Sequence, residues 1–179
     1  MIDTQPHPDA LSETRRTSPV NVKKIGHVVY RVSDVERSTR FWTEIMGFTV
    51  QDRNEYGMVF LRCQTDHHTI ALAPGASGAA LADKEGTLGV DHWAMEVGSV
   101  DDLFRIRAFL QERGVPIVFE GRRGPGCNIG VEFLDPDGYT IELYAGMEQI
   151  GWNGKSRPAE FWRRARSLEE AVATPVLTE

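Results

Sequence analysis

Apolar residues along this chain alternate between the spacing of strands and the spacing of helices, and the same succession occurs twice. The first copy predicts a strand, a helix and three more strands, over residues 24–32, 33–46, 48–53, 56–63 and 67–73. Ser33 and Glu36 have the spacing of a capping box, so we expect Ser33 to cap this helix. Gly47 is placed to end it.

The second copy begins after a connection rich in Gly, Ala and Ser. Its predicted elements follow the same order: a strand over 89–97, a helix that begins at Ser99 or Asp101 and ends at Gly114, and strands over 117–120, 128–134 and 139–144. Placing His27 on His92 also superimposes Val32 on Val97, and it brings the two helix-ending glycines within two positions of each other. This internal repeat predicts an α+β fold of two βαβββ modules, 22–74 and 88–145.

The segments that flank the single domain 22–145 differ from it in composition. Residues 1–21 contain three prolines, many Ser and Thr and few large apolar groups, so we expect a flexible N-terminal arm. The C-terminal tail 146–179 carries four apolar residues at helical spacing: Phe161, Ala165, Leu168 and Val172. The tail is therefore predicted to hold an amphipathic helix that docks on the domain or on a second subunit.

The composition excludes several classes of protein. With 41% hydrophobic and 26% charged residues, the chain resembles ordinary globular proteins. The formal charge of −6 argues against non-specific binding to nucleic acid. No stretch approaches the roughly 18 apolar residues of a membrane span, and the N-terminus lacks the apolar core of a signal peptide. Cys63 and Cys127 form no C-x-x-C pair and are too few for a disulfide scaffold, so we expect a cytoplasmic protein.

Three ionisable residues interrupt the predicted strands. His27, His92 and Glu142 each lie inside a run of apolar and β-branched residues, where an unpartnered charge costs several kcal/mol. A divalent metal shared by all three would offset that cost. Two histidines and one carboxylate that leave coordination positions open are the ligand set of non-haem Fe(II) oxygenases. We therefore expect these residues to bind a metal, with Fe(II) as the first candidate.

The two modules and the Asp135-Pro136-Asp137-Gly138 turn before Ile141-Glu142-Leu143-Tyr144 resemble the vicinal oxygen chelate superfamily. Glyoxalase I, bleomycin-resistance proteins and type I extradiol dioxygenases belong to it, and the one-domain extradiol dioxygenases are the nearest match. The resemblance covers about residues 23–145. It implies a curved mixed sheet, mostly antiparallel, around a metal that is bound at the positions of His27, His92 and Glu142.

Ala71 bears on the choice of chemistry within that superfamily. In the repeat it corresponds to Glu142, where glyoxalase-type sites usually carry a fourth protein ligand, and alanine cannot coordinate a metal. The segment from His67 to Leu72 resembles the H-x-x-A-L/F segment of extradiol dioxygenases, which implies that His68 is an acid–base residue. Strand alternation alone places His67 on the face of Ala71 instead, so both histidines are candidates.

Two further positions concern the substrate. Extradiol dioxygenases generally carry a tyrosine ten positions before the ligand glutamate, and Glu132 stands there in this chain. The alternative tyrosines are Tyr30, Tyr56, Tyr139 and Tyr144. The glycine-rich loop 121–126 is expected at the mouth of the pocket, where Arg122 or Arg123 would meet a substrate carboxylate.

Three hypotheses follow. The first is an Fe(II)-dependent extradiol dioxygenase that cleaves a catechol-like aromatic diol with O₂ and uses His68 or His67 as its acid–base residue. The second is a glyoxalase- or epimerase-type isomerase or lyase that uses Mn²⁺, Co²⁺, Ni²⁺ or Zn²⁺. The third is a non-catalytic protein that binds a small molecule, as bleomycin-resistance proteins do. The resemblance to this superfamily and the amphipathic tail together predict a homodimer. We expect no nucleic-acid or membrane partner.

Overall fold

The structure, a computed structural model, describes residues 19–20, 22, 24–76, 79–81, 88–150 and 156–176. The first repeat forms β1 (Val28–Val32), α1 (Val35–Arg40) with a π-helical turn (Phe41–Ile45), β2 (Thr49–Arg53), β3 (Val59–Arg62) and β4 (Ile70–Pro74). The second repeat forms β5 (His92–Glu96), α2 (Val100–Glu112), β6 (Ile117–Gly121), β7 (Ile129–Leu134) and β8 (Thr140–Ala145). A 3₁₀ turn (Ala159–Phe161) and α3 (Leu168–Ala173) follow in the tail.

The two repeats have the same topology. Their strand orders are β1-β4-β3-β2 and β5-β8-β7-β6, and in each the first pair is parallel while the other pairs are antiparallel. The predicted α+β fold of two βαβββ modules is confirmed, with the hydrogen bonds organised as two mixed four-stranded sheets. Because the sheets are equivalent, residues at corresponding register positions can be compared directly.

Strand alternation decides which side chains enter the core. On β1, Tyr30 and Val32 are buried, whereas Val29 is exposed. On β5, Trp93 packs against the core, whereas His92 is exposed. One helix covers the apolar face of each sheet, since α1 contacts β4 and α2 contacts β7 and β8. The candidate ligands therefore lie on the faces turned away from the helices.

Tyr30 joins the two repeats. Its hydroxyl donates to Asp135 Oδ2 at 3.2 Å and accepts from Trp42 Nε1 at 2.6 Å. Its ring lies 4.3 Å from that of Trp93. Beside it, Asp137 accepts from the backbone and side chain of Ser33. The Asp-Pro-Asp-Gly turn of the second repeat is thus anchored to the first.

The helix ends agree with the sequence except at one cap. Gly47 and Gly114 follow their helices with φ of +71° and +66°, a conformation that glycine adopts at little cost. Ser99 caps α2, as one of the two alternatives predicted. The predicted cap Ser33 is wrong: Asp34 accepts from the Arg37 amide at 2.9 Å, because the Ser33 side chain binds Asp137 instead.

The C-terminal helix is present but shorter than its apolar spacing predicted. Leu168 is fully buried in α3, but Ala165 lies in a β-bridge with Arg122, and Phe161 and Val172 are exposed. No helix among the residues described is long and apolar enough to cross a membrane. The arm expected over residues 1–21 lies outside the described residues apart from 19 and 20.

Candidate metal centre

His92 and Glu142 lie on neighbouring strands of the second sheet. β5 and β8 run parallel with Ala94 paired to Glu142, so the side chains of His92 and Glu142 point to the same face. His92 Nε2 is 3.4 Å from Glu142 Oε2. That distance is long for a hydrogen bond, and it fits two ligands that each lie about 2.1 Å from one ion. The pair is therefore suited to hold a divalent cation.

Each of these two side chains has a partner that orients it. Asp91 Oδ2 lies 2.7 Å from His92 Nδ1, and because a carboxylate only accepts, Nδ1 donates this bond, which in the neutral ring leaves the lone pair on Nε2. Asn128 donates to Glu142 Oε1 at 2.8 Å, which leaves Oε2 turned toward His92. Burial raises the pKa of Glu142. A bound cation would offset the desolvation cost of this half-buried carboxylate.

His27 lies beside the first sheet, apart from the other two predicted ligands. It immediately precedes β1, and its ring centroid is 4.4 Å from that of His68. Within the part of the chain that the structure describes, no group of three or more His, Cys, Asp or Glu residues is close enough to hold a metal. The structure thus brings together His92 with Glu142 on the second sheet and His27 with His68 beside the first sheet, as two separate pairs.

The paired histidines lie before β4 rather than inside it. The strand predicted over 67–73 begins at Ile70, so strand alternation does not decide between His67 and His68. His67 Nε2 lies 2.7 Å from Asp52 Oδ2, and its Nδ1 lies 3.0 Å from His68 Nδ1. Burial lowers the pKa of His68, and the nearby charges of His27 and His67 add to this effect. Of the two histidines, His68 is therefore the one in ring contact with His27, a predicted metal ligand.

The register of the two sheets shows which residue replaces a fourth ligand. Val29 pairs with Ala71 across β1 and β4, as Ala94 pairs with Glu142 across β5 and β8. Because Val29 and Ala94 are themselves equivalent in the repeat, Ala71 occupies the first-sheet counterpart of the Glu142 position. The correspondence drawn from the sequence is thereby confirmed at the level of strand pairing.

Glu132 lies directly opposite Glu142 on β7. It is only 6% exposed, and Arg123 donates to it through Nε and through Nη2, the latter at 2.6 Å. Arg123 also lies over the Phe119 ring, with 3.9 Å from Cζ to the centroid. The place of the usual tyrosine is thus taken by an ion pair. Asp91, Arg123 and Glu132 line a cavity of about 440 Å³.

Arg122 does not have the role expected of it. It is 3% exposed and donates to four backbone carbonyls, those of Cys127, Arg163, Ala171 and Thr174. It holds the tail rather than a substrate carboxylate. Because Arg123 is paired with Glu132, neither arginine of the loop is available to bind an acidic substrate.

Among the alternative tyrosines, only one lies on the face of Glu142. Tyr30 and Tyr139 take part in the contact between repeats, where Tyr139 donates to the Arg31 carbonyl at 2.9 Å. Tyr56 is 73% exposed in the turn between β2 and β3. Tyr144 follows Glu142 by two residues on β8 and therefore points to the same face.

Sequence reasoning missed Asp91, Asn128 and Asp52. A carboxylate directly before a ligand histidine was a usable signal for Asp91, since such pairs orient metal-bound imidazoles. Asn128 and Asp52 had no such signal, because each reaches its partner only through strand pairing. Their contacts span 14 and 15 residues of sequence.

Known proteins resemble this chain across both repeats. The profile of the Glyoxalase/Bleomycin resistance protein/Dioxygenase superfamily matches residues 24–143. The 2,2',3-trihydroxybiphenyl dioxygenase of Sphingomonas paucimobilis is 30% identical over 131 residues, which are 71% of this chain and 42% of that protein. Metapyrocatechase of Pseudomonas sp. (strain CF600) is 30% identical over 147 residues, 80% of this chain and 45% of that protein. The chain thus spans less than half the length of these dioxygenases.

The similarity to one solved structure extends over most of that protein's length. Glyoxalase I of Leishmania major, described as trypanothione-dependent, superposes with a TM-score of 0.55 at 26% identity, over 70% of this chain and 88% of that one. Extradiol dioxygenases and glyoxalases are thus both among the relatives. Since the profile match extends over both repeats, the chain belongs to the Glyoxalase/Bleomycin resistance protein/Dioxygenase superfamily.

Proposed function

We propose that this protein is a metal-dependent extradiol dioxygenase that cleaves the ring of a catechol-like aromatic diol with O₂. The observation that carries the proposal is the alanine at position 71, in the register position equivalent to Glu142. With His27, His92 and Glu142 as the protein ligands, the metal keeps open positions for a bidentate diol and for O₂. The dioxygenase relatives from Sphingomonas and Pseudomonas support the same reading.

His27 is the third ligand in this proposal because its place in the first repeat is that of His92 in the second. It joins the other two either from the same chain or from the first repeat of a second subunit, in a homodimer. Mixing the variants His27→Ala and His92→Ala distinguishes these cases. A site shared between subunits regains metal binding in the mixed dimer, whereas a site within one chain does not.

The chain's own residues position the diol and handle its protons. Fe(II) in this site would supply the redox chemistry that joins a bound diol to O₂. The His68 ring lies 4.4 Å from the His27 ring, where His68 can accept a proton from a substrate hydroxyl and later return it. The Glu132–Arg123 pair neutralises two charges beside Glu142, so the pocket suits an uncharged diol better than a substrate that carries a carboxylate.

A glyoxalase-type isomerase or lyase is the second candidate function. The similarity to glyoxalase I of Leishmania major over 88% of that chain favours it, because the dioxygenase relatives are more than twice as long as the region matched. Such an enzyme would use Mn²⁺, Co²⁺, Ni²⁺ or Zn²⁺ at the same three residues. It differs from the first candidate in needing no O₂.

The deciding experiment is an O₂-electrode trace of protein purified without oxygen, loaded with Fe(II) and given a panel of simple catechols. We expect rapid O₂ uptake with a yellow ring-cleavage product, and neither in the variant His92→Ala. Metal binding without O₂ uptake on any diol, together with turnover of a glyoxalase substrate under argon, would replace the proposal by the second candidate.

A further inference from the structure

Two glutamates face each other across neighbouring strands of the second sheet. Glu142 on β8 pairs with Glu132 on the antiparallel strand β7, so both side chains point to the face that carries His92. Directly paired residues of antiparallel strands have their Cβ atoms about 4.5–5.5 Å apart. The carboxylates of two glutamates at this separation can reach the same ion. Glu132 therefore lies within reach of a metal bound to His92 and Glu142.

The carboxylate of Glu132 is bound by Arg123 instead. Arg123 donates to Glu132 Oε1 through Nε and to Oε2 through Nη2, the latter at 2.6 Å. Both oxygens are thus engaged, and Glu132 as a whole is buried. Two parallel N–H donors from one guanidinium form the strongest kind of hydrogen-bonded pair with a carboxylate. A metal would have to compete with this guanidinium for the same two oxygens.

The position of Arg123 is fixed from two sides. Its guanidinium lies over the Phe119 ring of β6, with 3.9 Å from Cζ to the centroid. On the backbone side, Arg164 Nε donates to the Arg123 carbonyl at 2.9 Å. The next residue is Gly124, where a Cβ atom would lie 2.7 Å from Cε3 of Trp162. Strand β6 and the C-terminal tail therefore hold Arg123 in place together.

We propose that Arg123 is a positioning residue: by binding Glu132, it prevents this carboxylate from becoming a further metal ligand. The inference rests on the metal centre of the proposed function, whose open coordination positions it helps to explain. On the first sheet, Ala71 offers no ligand at the position equivalent to Glu142. On the second sheet, the ion pair has the same effect on Glu132. Both features keep the metal open for a bidentate diol and for O₂.

The burial of Glu132 gives the proposal a distinctive consequence. A buried carboxylate that loses its partner carries an uncompensated charge, which is costly. Without Arg123, a divalent cation bound to Glu142 is a counter-charge that Glu132 can reach from its place on β7. Removal of the arginine is therefore expected to tighten metal binding. Removal of an ordinary partner of a metal ligand has the opposite effect, because it weakens metal binding.

The test measures Mn²⁺ binding by isothermal titration, without diol or O₂. We expect Arg123→Met to bind Mn²⁺ at least about 10-fold more tightly than the wild type. Arg123→Lys keeps the charge and should stay close to the wild type, and the double variant Arg123→Met with Glu132→Gln should lose the gain. Arg107→Met is the matched control, since Arg107 pairs with Glu120 on the opposite face of the same sheet. It should bind Mn²⁺ like the wild type.

Water relaxation separates ligation from a mere change of charge. A carboxylate that joins the Mn²⁺ displaces bound water, so the relaxivity of water protons per bound ion should be lower in Arg123→Met than in the wild type. Tighter binding with unchanged relaxivity would mean that only the charge of the site has changed, and it would overturn the inference. Equal or weaker binding in Arg123→Met, or no binding in either protein, would overturn it as well.

Thermal unfolding extends the test to a destabilised variant. Since Arg123→Met leaves Glu132 without its partner, added Mn²⁺ should raise the melting temperature of this variant more than that of the wild type. An equal rise in both proteins would contradict the inference. None of these measurements requires a diol or O₂, so they decide on the role of Arg123 even if no diol is cleaved and the proposed function fails.

Discussion

Gly130 makes the space that Glu142 occupies. A Cβ atom at position 130 would lie 2.5 Å from Glu142 Oε1 and 3.2 Å from its Cγ. The same Oε1 accepts a hydrogen bond from Asn128 at 2.8 Å. A glycine on one side and an amide on the other therefore fix the orientation in which Oε2 faces His92.

Gly130→Ala is expected to weaken metal binding without unfolding the protein. The added methyl group pushes the carboxylate out of its position, and the bond from Asn128 is lost with it. We expect metal affinity to fall by roughly 10–100-fold, as when an outer-shell partner is removed. Isothermal titration with Mn²⁺ measures the change. Gly89→Ala is the control, because a Cβ there meets no atom within 4 Å; equal losses in both variants would contradict this account.

Glu142→Gln is expected to lose more metal affinity than Gly130→Ala does. The amide keeps the shape and can still accept from Asn128, but the substitution removes the negative charge of the oxygen that faces His92 Nε2. Equilibrium dialysis against Co²⁺ is the measurement, and we expect a loss beyond the roughly 100-fold limit of outer-shell changes. Glu96→Gln, on an exposed position of β5, is the control and should bind Co²⁺ like the wild type. Retained binding in Glu142→Gln would exclude Glu142 as a ligand.

The repeat was predictable because it follows from local patterns of the amino-acid sequence. Apolar spacing and the glycines after each helix are readable within a few residues of sequence, and the same succession recurs with His92 in the place of His27. The same patterns predicted that Ala71 corresponds to Glu142, which the strand register confirms. Local signals were sufficient for this part of the fold because the strands of each βαβββ module pair with one another in a sheet of their own.

The errors arose where one repeat or the tail acts on a distant segment. Ser33 has the residue type of a cap, but Asp137 of the other repeat binds its hydroxyl, so Asp34 caps α1 instead. Ala165 has the spacing of a helical residue, but its backbone pairs with Arg122, and the long tail helix is interrupted there. Neither competitor is visible in the local sequence, since 104 residues separate Ser33 from Asp137.

The buried Asp135 is expected to give the protein's stability a distinctive pH dependence. Burial raises the pKa of this carboxyl above its unfolded value, although Tyr30 and two backbone amides donate to it. A group whose pKa is raised on folding contributes stability below its unfolded pKa, and that contribution is lost as the pH rises through the folded pKa. Asp135→Asn cannot titrate. The wild type should therefore lose stability relative to this variant as the pH rises from about 4.

Urea denaturation at several pH values, for wild type and Asp135→Asn together, measures this difference. Asn also leaves the Tyr30 hydroxyl without its acceptor, so we expect the variant to be less stable by about 1–3 kcal/mol at low pH and by less at pH 7. Tyr30→Phe removes the other half of the contact and keeps the titrating carboxyl, so it should retain a pH-dependent difference from Asp135→Asn. A wild-type advantage that grows with pH would show that the ionised form is the favoured one.

Arg122→Met is expected to release the C-terminal tail. Methionine approximates the length of the arginine stem, but it leaves four buried or partly buried carbonyls without their donor. At about 1–3 kcal/mol for each unsatisfied buried group, we expect local opening of residues 156–176 to become at least roughly 100-fold more frequent. Limited proteolysis with mass spectrometry should then find cuts in this segment before any in the two sheets. Arg113→Met, at an exposed arginine after α2, is the control and should be cut like the wild type; an unchanged tail in Arg122→Met would mean that α3 holds by its apolar contacts alone.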